Sequence, residues 1–347
     1  MVLMEERKWQ GFLKSAGEAS AVCFCSADEY LLASHASALT RHLQEQWDDS
    51  ELTRIAGEDF TLEEAVLAAG TISFFATKRI IRIDRLQPSA FSDKDMTEFC
   101  ELLHDTENAI FILTLQCKNQ KERKRNKVKQ LEDAVKLTGC WQELSAPGGG
   151  DLKAVAKQMA DSLGASIDAA AAQELIERTG GDLYLLSNEV AKLAAGAGYG
   201  KITQETVTAL AARTVEADVF KMIDAVTAGR HTEAFLILDR LLYLRSEPIA
   251  IVGALASSFV DMARAQTGAA HKVGYAGVFK DLQYTGNDYR MKRALQNAAR
   301  FSPSQLRQAL SILIELDTSL KSSPLDDAVL LQTALSELCS LARSGRR

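Results

Sequence analysis

The turn after the first apolar run is the place where a nucleotide-binding domain would hold phosphate. Residues 21–25 form the run, and Ser26-Ala27-Asp28-Glu29 follows it. A phosphate-cradling loop needs glycines for close backbone approach, a lysine for the phosphates, and a serine or threonine for magnesium. This turn has neither glycine nor lysine, and Asp28 and Glu29 would repel phosphates. The sequence therefore predicts no nucleotide site here.

Other reactive side chains lack the spacing of a metal or catalytic site. Asp84 stands alone after residues 79–83, and without a phosphate loop we interpret it as an ordinary strand-end acid. The five histidines show no metal-ligand spacing. Cys23 and Cys25 alternate within an apolar run, which favours buried core cysteines over metal or redox use. We predict no catalytic residue, no metal and no cofactor.

An aromatic pair precedes the third apolar strand. In the helix before it, Leu62 and Val66 share the inward face at about 100° per residue, and Phe74 and Phe75 fall off that face. One interpretation is a partly exposed pair that fills a pocket on another protein. The alternative is a pair of core residues at a helix–strand junction. The candidate protein-binding segment is Ile72-Ser73-Phe74-Phe75.

A basic run extends from Lys118 to Lys129, with Glu122 as its only acid. Such a run is usually a solvated helix face, and its functional interpretation is contact with nucleic-acid phosphates. Because the whole chain has a net charge of −6, any such contact must be local. The candidate phosphate-contacting residues are Lys121, Arg123, Lys124, Arg125 and Lys127.

The elements that position these residues change in kind along the chain. Apolar runs alternate with helical patterns over about the first 145 residues, which indicates a parallel sheet covered by helices. Two helices are predicted to begin with capping boxes, at Ser26 with Glu29 and at Thr61 with Glu64. Beyond the glycine-rich linker 146–150 the pattern is entirely helical. No apolar run is long enough to span a membrane and the N-terminus lacks a signal-peptide pattern, so we expect a cytoplasmic location.

Four segments resemble one family, the delta subunit of the bacterial DNA polymerase III clamp loader. The most specific is the Gly-Asp-Leu, Asn-Glu, Lys-Leu pattern of residues 180–193. The acidic turn with Tyr30-Leu31-Leu32 resembles the family's degenerate nucleotide-site turn, and residues 73–79 resemble its clamp-binding segment. The fourth segment begins at 219–225 and ends at 316–321. Together they span nearly the whole chain. Phe74 stands where the family usually has leucine.

The resemblance implies a fold in three parts. These are a degenerate ATPase-like (AAA+-like) α/β domain at 1–146, a small helical lid domain at 147–215 and a helical collar domain at 216–347. The α/β domain would be a parallel sheet without a nucleotide site. Phe74 and Phe75 would be the hydrophobic plug that binds the sliding clamp, positioned by Ile72 and Ser73.

The resemblance also implies a non-catalytic subunit of the DNA polymerase III holoenzyme, itself a nucleotidyltransferase. Such a subunit binds and opens the sliding clamp (beta) for loading onto primed DNA. Its implied partners are the clamp, the motor subunits (gamma/tau), delta prime and primer–template DNA, with no membrane. The alternative is an active ATPase subunit of the same superfamily with an unrecognised phosphate site.

Overall fold

The computed structural model describes residues 6–58, 60–70, 78–106, 108–284 and 288–344. Contacts within the chain divide it into two compact units. The first contains the residues up to Ala146 together with Gln283 and Tyr284, and the second contains the other residues from Pro147 onward.

The first unit is a five-stranded parallel sheet with helices around it. The strand order is β2-β3-β4-β1-β5, and every neighbouring pair is parallel. The strands are β1 (Ala21–Ser26), β2 (Ser50–Ala56), β3 (Lys78–Asp84), β4 (Ala109–Gln116) and β5 (Gly139–Glu143). The helices are α1 (Glu6–Ala16), α2 (Glu29–Gln46), α3 (Leu62–Gly70), α4 (Asp93–Asp105), α5 (Gln120–Arg123) and α6 (Asn126–Thr138).

The central strands are buried on both faces, which explains their nearly continuous apolar sequences. Successive side chains of a strand point to opposite faces, so each strand supplies two cores. Cys23 and Cys25 pack with Phe111 in one core, while Val22 and Phe24 pack in the other. The expectation that both cysteines are buried is confirmed. Burial raises the pKa of the Cys23 thiol and keeps it neutral.

The two predicted capping boxes have different outcomes. At Thr61 and Glu64 each side chain accepts the other's backbone N–H at 3.3 Å, as predicted. At α2 the prediction is wrong, because Asp28 is the N-cap and accepts the Leu31 N–H at 3.2 Å. Ser26 stands two residues before this cap, and its hydroxyl accepts the N–H of Asp28 itself instead of an N–H in the first turn of the helix.

The second unit is helical apart from two short strands, β6 (Ser166–Ile167) and β7 (Lys201–Ile202), that the sequence did not predict. Its shorter helices are α7 (Leu152–Asp161), α8 (Ala169–Thr179), α9 (Leu183–Gly196), α10 (Gln204–Leu210), α11 (Val215–Ala228) and α12 (His231–Tyr243). The rest are α13 (Pro248–Ala270), α14 (Tyr275–Asp281), α15 (Tyr289–Ala298), α16 (Pro303–Ser322) and α17 (Asp327–Ser344). The predicted fold class, a parallel α/β region followed by helices, is confirmed.

Helix α13 is long and apolar enough to cross a membrane by length and composition alone. In the fold it is a core helix, packed against α11, α15 and α16. Phe259 and Met262 are buried, and the buried Asp261 forms an ion pair with Arg290 of α15. A charged pair with a neighbouring helix is typical of packing inside a domain, so the apolar composition of α13 is explained by its place in the core.

Candidate functional sites

The switch point of the sheet lies between β4 and β1. The chain leaves β1 toward β2 on one side, and leaves β4 toward β5 on the other side of β1. Ligands of open parallel sheets bind outside the carboxyl ends of the strands at such a point. In this chain that position is bounded by the turn from Ser26 to Glu29 and by the segment that follows β4.

The turn is closed by its own side chains. The Ser26 hydroxyl accepts the Asp28 N–H at 3.1 Å and donates to the Leu144 carbonyl at 2.9 Å. Asp28 caps α2, and Glu29 stands in the first turn of the helix. A helix N-terminus attracts an anion through its free N–H groups and positive dipole end. Here a carboxylate of the chain already holds that position.

A cavity of about 820 Å³ at the carboxyl edge has mixed charge. Glu29, Glu58 and Glu122 line it together with several cations, and Arg85 pairs with Glu58 at 3.0 Å. Beside it, the Cys117 N–H donates to the Ser26 carbonyl at 2.9 Å, which continues the β1–β4 ladder beyond the strands. The described residues that line this cavity include no glycine, so it does not form the glycine-rich phosphate-binding loop that is also missing from the turn after β1.

Asp84 is neutralised by a neighbour on its own strand. The Arg82 Nε donates to the Asp84 carboxylate at 2.8 Å, and the Arg82 side chain is almost completely buried. Asp84 is therefore a partner in a structural ion pair, in keeping with its interpretation as a strand-end acid. Within the described ranges, no group of three or more His, Cys, Asp or Glu side chains could hold a metal ion.

The segment Ile72, Ser73, Phe74 and Phe75 lies outside the described residues, but its flanks are described. Gly70 ends α3, and Lys78 begins β3 at the amino edge of the sheet, opposite the carboxyl-edge cavity.

The inward face of α3 differs from the prediction. Ala65 and Ala69 are buried, whereas Val66, predicted to face inward, is 49% exposed, and Leu67 is 71% exposed. Two apolar side chains of the helix that precedes the aromatic segment in sequence are therefore exposed.

The basic run forms two helices instead of one. The sequence predicts a single charged helix over about 120–137, and the structure breaks it at Lys124 and Arg125 between α5 and α6. Two candidate cations are used inside the domain. Arg123 bonds Glu143 at 2.5 Å and Glu132 at 2.7 Å, and its guanidinium lies 4.8 Å from the centre of the Trp141 ring.

Partial burial opposes the charge of Arg123, but the hydrogen bonds that its guanidinium donates to Glu132 and Glu143 outweigh this effect and raise the arginine's pKa. Lys127 is the second internal cation, donating to the Phe91 carbonyl at 2.5 Å. The other three candidates are exposed around the break between the helices. They are Lys121, Lys124 and Arg125.

Two further surfaces were not found by the sequence reasoning. One is a cavity in the second unit, lined by cations from helices far apart in the chain. The other is a group of exposed apolar side chains at the end of α12 and the start of α13, with Tyr243 86% and Leu244 62% exposed. Only the tertiary fold brings the cavity's residues together, so no local pattern could have revealed it.

These features define a class of protein. The chain has a parallel α/β unit whose switch point carries acids instead of a phosphate loop, followed by a helical unit with several exposed apolar side chains. Family models give the particular family. One described as "DNA polymerase III, delta subunit" matches residues 23–140, and one described as the C-terminal domain of that subunit matches residues 216–338. A third, a "middle domain", matches residues 151–209.

The relatives agree with the family models. DNA polymerase III subunit delta of Bacillus subtilis (strain 168) is 24% identical over 342 residues, which cover 95% of each chain. The solved structure of the Bacillus subtilis DNA clamp loader delta protein superposes with a TM-score of 0.72 at 22% identity, over 96% of this chain and 99% of the other. The chain belongs to the DNA polymerase III delta subunit family, a clamp-loader family of DNA replication.

Proposed function

We propose that this chain binds the sliding clamp and helps to hold it open for loading onto primed DNA. The observation that carries the proposal is its membership of the delta family, together with exposed apolar side chains on α3, the helix that precedes the segment resembling the clamp-binding segment. Val66 and Leu67 of α3 are exposed, and Ile72, Ser73, Phe74 and Phe75 follow this helix in sequence. The aromatic pair would fill a pocket on the clamp.

The proposed mechanism uses binding energy without catalysis. Burying Phe74 and Phe75 would contribute roughly 1.5–3 kcal/mol each. If the contact fits only the open form of the clamp, that free energy shifts the clamp toward the open form. ATP would then act in neighbouring motor subunits. The acids at the switch point support this division of labour, because they occupy the place of a phosphate loop.

The arrangement with other subunits is part of the same proposal. We assign the α/β domain to 1–146, the lid to 147–215 and the collar to 216–347. Tyr243 and Leu244 expose apolar surface on the collar, which suits contact with the proposed partners gamma/tau and delta prime. A clamp-loader subunit works where the chromosome is replicated, so we place the chain in the cytoplasm.

The deciding experiment is titration of the sliding clamp with a Phe74→Ala/Phe75→Ala variant. We expect clamp affinity to fall by about 100-fold or more while circular dichroism and thermal unfolding stay unchanged, because the side chains contact only the partner. Leu137→Ala is the matched control, since Leu137 is 75% exposed elsewhere on the same unit. Equal clamp affinity in the double variant and the control would show the plug assignment to be wrong.

The ATPase alternative makes a different prediction. A working phosphate site would give tight, magnesium-dependent binding of a fluorescent ATP analogue to the isolated chain. We expect no such binding at the sheet, because Asp28 caps α2 and Glu29 adds a second negative charge. Magnesium-dependent binding that an Asp28 or Glu29 substitution alters would favour the alternative.

A further inference from the structure

The cavity of the second unit has the size of a small-molecule site. It encloses about 780 Å³, within the roughly 300–1,000 Å³ of typical ligand pockets. Its walls come from the first turn of α7, from α8, from the end of α11 and from α15. These elements all belong to the second compact unit.

The cavity is strongly basic in a chain of net charge −6. Five cationic side chains line it, against two carboxylates. The cations are Lys153, Arg230, Lys292, Arg293 and Arg300.

Both carboxylates are already engaged within the protein. Asp224 forms an ion pair with Arg293 and accepts the Asn297 amide at 2.7 Å. Glu177 accepts the side-chain amide of Gln173 at 2.8 Å.

Three of the cations have no carboxylate partner in the part of the chain that the structure describes. They are Lys153, Lys292 and Arg300, and they come from α7, from α15 and from the residues just after α15. Arg230 differs, because it pairs with Glu233 at 3.2 Å. Charges from separate helices that converge on one cavity without counter-charges favour an anionic ligand.

Arg293 is held in place at the wall of the cavity. Its guanidinium is fixed by Asp224 on one side and lies 5.5 Å from the centre of the Phe220 ring. Its side chain is 13% exposed, and its Nη1 atom is buried without a hydrogen-bond acceptor among the described residues. Because this atom is buried, Arg293 contributes fixed positive charge beside the cavity and not a free donor to its ligand.

We propose that this cavity binds a small polyphosphate anion, a ligand with two or more linked phosphate groups, through those phosphate groups. Lys153, Lys292 and Arg300 supply positive charge around the phosphates, and Arg293 adds positive charge from the wall. The site is separate from the clamp-binding segment and does not depend on the proposed clamp function.

The test is calorimetric titration of the full chain with inorganic pyrophosphate in the absence of magnesium. We expect measurable binding to the unaltered protein, and a loss of about tenfold or more with Lys153→Glu and with Lys292→Glu, because each change reverses a charge at the ligand. Lys157→Glu is the matched control, since Lys157 lies on the same helix, exposed and outside the cavity. Thermal unfolding of each variant checks that the fold is retained.

A second arm separates a small ligand from a nucleic-acid backbone. Anisotropy of a labelled single-stranded oligonucleotide is measured with the same three variants. Pyrophosphate binding that is lost in the two cavity variants and kept in Lys157→Glu supports the proposal. No pyrophosphate binding, equal loss in the control, or an effect of the cavity variants on the oligonucleotide alone would overturn it. Clamp affinity, measured in parallel, is expected to be unchanged in all three variants.

Discussion

His35 is buried in the first unit with its ring between two aromatic side chains. The ring centres of Trp9 and Phe24 each lie 5.8 Å from it, and its Nδ1–H donates to the Leu31 carbonyl at 2.7 Å. Its Nε2 is buried without a partner within the described structure. Burial favours the neutral imidazole and lowers the pKa of His35 to about 4.

The depressed pKa of His35 predicts a pH-dependent stability. The unfolded chain takes up a proton near pH 6.5 and the folded chain only near pH 4, so stability is complete above pH 6.5 and falls as the pH drops toward 4. The loss is about 2 kcal/mol by pH 5. Urea unfolding at pH 7.5 and pH 5 measures it. A His35→Gln variant should lose less between the two pH values; an equal loss would contradict the assignment.

At the scale of the helix, the start of α2 is stabilised by the Asp28 side chain, which accepts the free Leu31 N–H. Asp28→Ala is expected to lower the free energy of unfolding by about 1 kcal/mol, whereas Asp28→Asn retains an acceptor and costs less. Glu29→Ala, at the next position, should have little effect, because Glu29 is not the cap. Denaturant midpoints of the three variants test this order. A Glu29→Ala loss as large as that of Asp28→Ala would restore the predicted capping box.

A charged network joins three helices of the second unit. Asp218 of α11 is 3% exposed and pairs with Arg240 of α12 and, at 3.9 Å, with Arg213. Arg213 also bonds Glu174 of α8 at 2.6 Å. We expect Asp218→Ala to lower the free energy of unfolding by about 1–2 kcal/mol, because it removes charge-assisted hydrogen bonds at a buried position while Arg213 keeps Glu174 and Arg240 can reach solvent. Lys321→Ala, which breaks an exposed ion pair on α16, is the control and should cost under about 1 kcal/mol. If both variants lose a similar amount of unfolding free energy, the network around Asp218 is exposed to solvent, contrary to this prediction.

The parts of the fold that the sequence predicts are those with local causes. Strands buried on both faces are recognisable as apolar runs, as at residues 21–25 and 109–115, and the Thr61–Glu64 box depends on neighbours in sequence. The Asp28 cap was missed because the helix begins at Glu29, two residues later than a Ser26 cap requires, with the Ser26 hydroxyl bonded to the Leu144 carbonyl more than a hundred residues later. The ion pair of Arg123 depends on Glu143 of β5. The basic cavity is lined by residues that lie between positions 149 and 300 of the chain. Contacts of this range leave no periodic trace in the sequence.

For the whole molecule, net charge decides how DNA can be held. A chain of charge −6 repels phosphates at long range, so binding must come from local cations. The exposed set around the α5–α6 break is Lys121, Lys124 and Arg125. If these three contact phosphates, the slope of log K against log salt for primer–template DNA should be about −2 to −3.

Reversing the three charges together is expected to flatten this slope toward zero and to weaken DNA binding, with clamp affinity unchanged. The matched control reverses three exposed lysines outside the run, Lys14, Lys94 and Lys157, and so alters net charge equally. Arg123 and Lys127 are left intact in both variants because they hold the domain together. Anisotropy titrations between about 50 and 200 mM salt give the slopes. If both triple variants flatten the slope equally, the effect is one of net charge, and the basic run is the solvated helix face that its composition also allows.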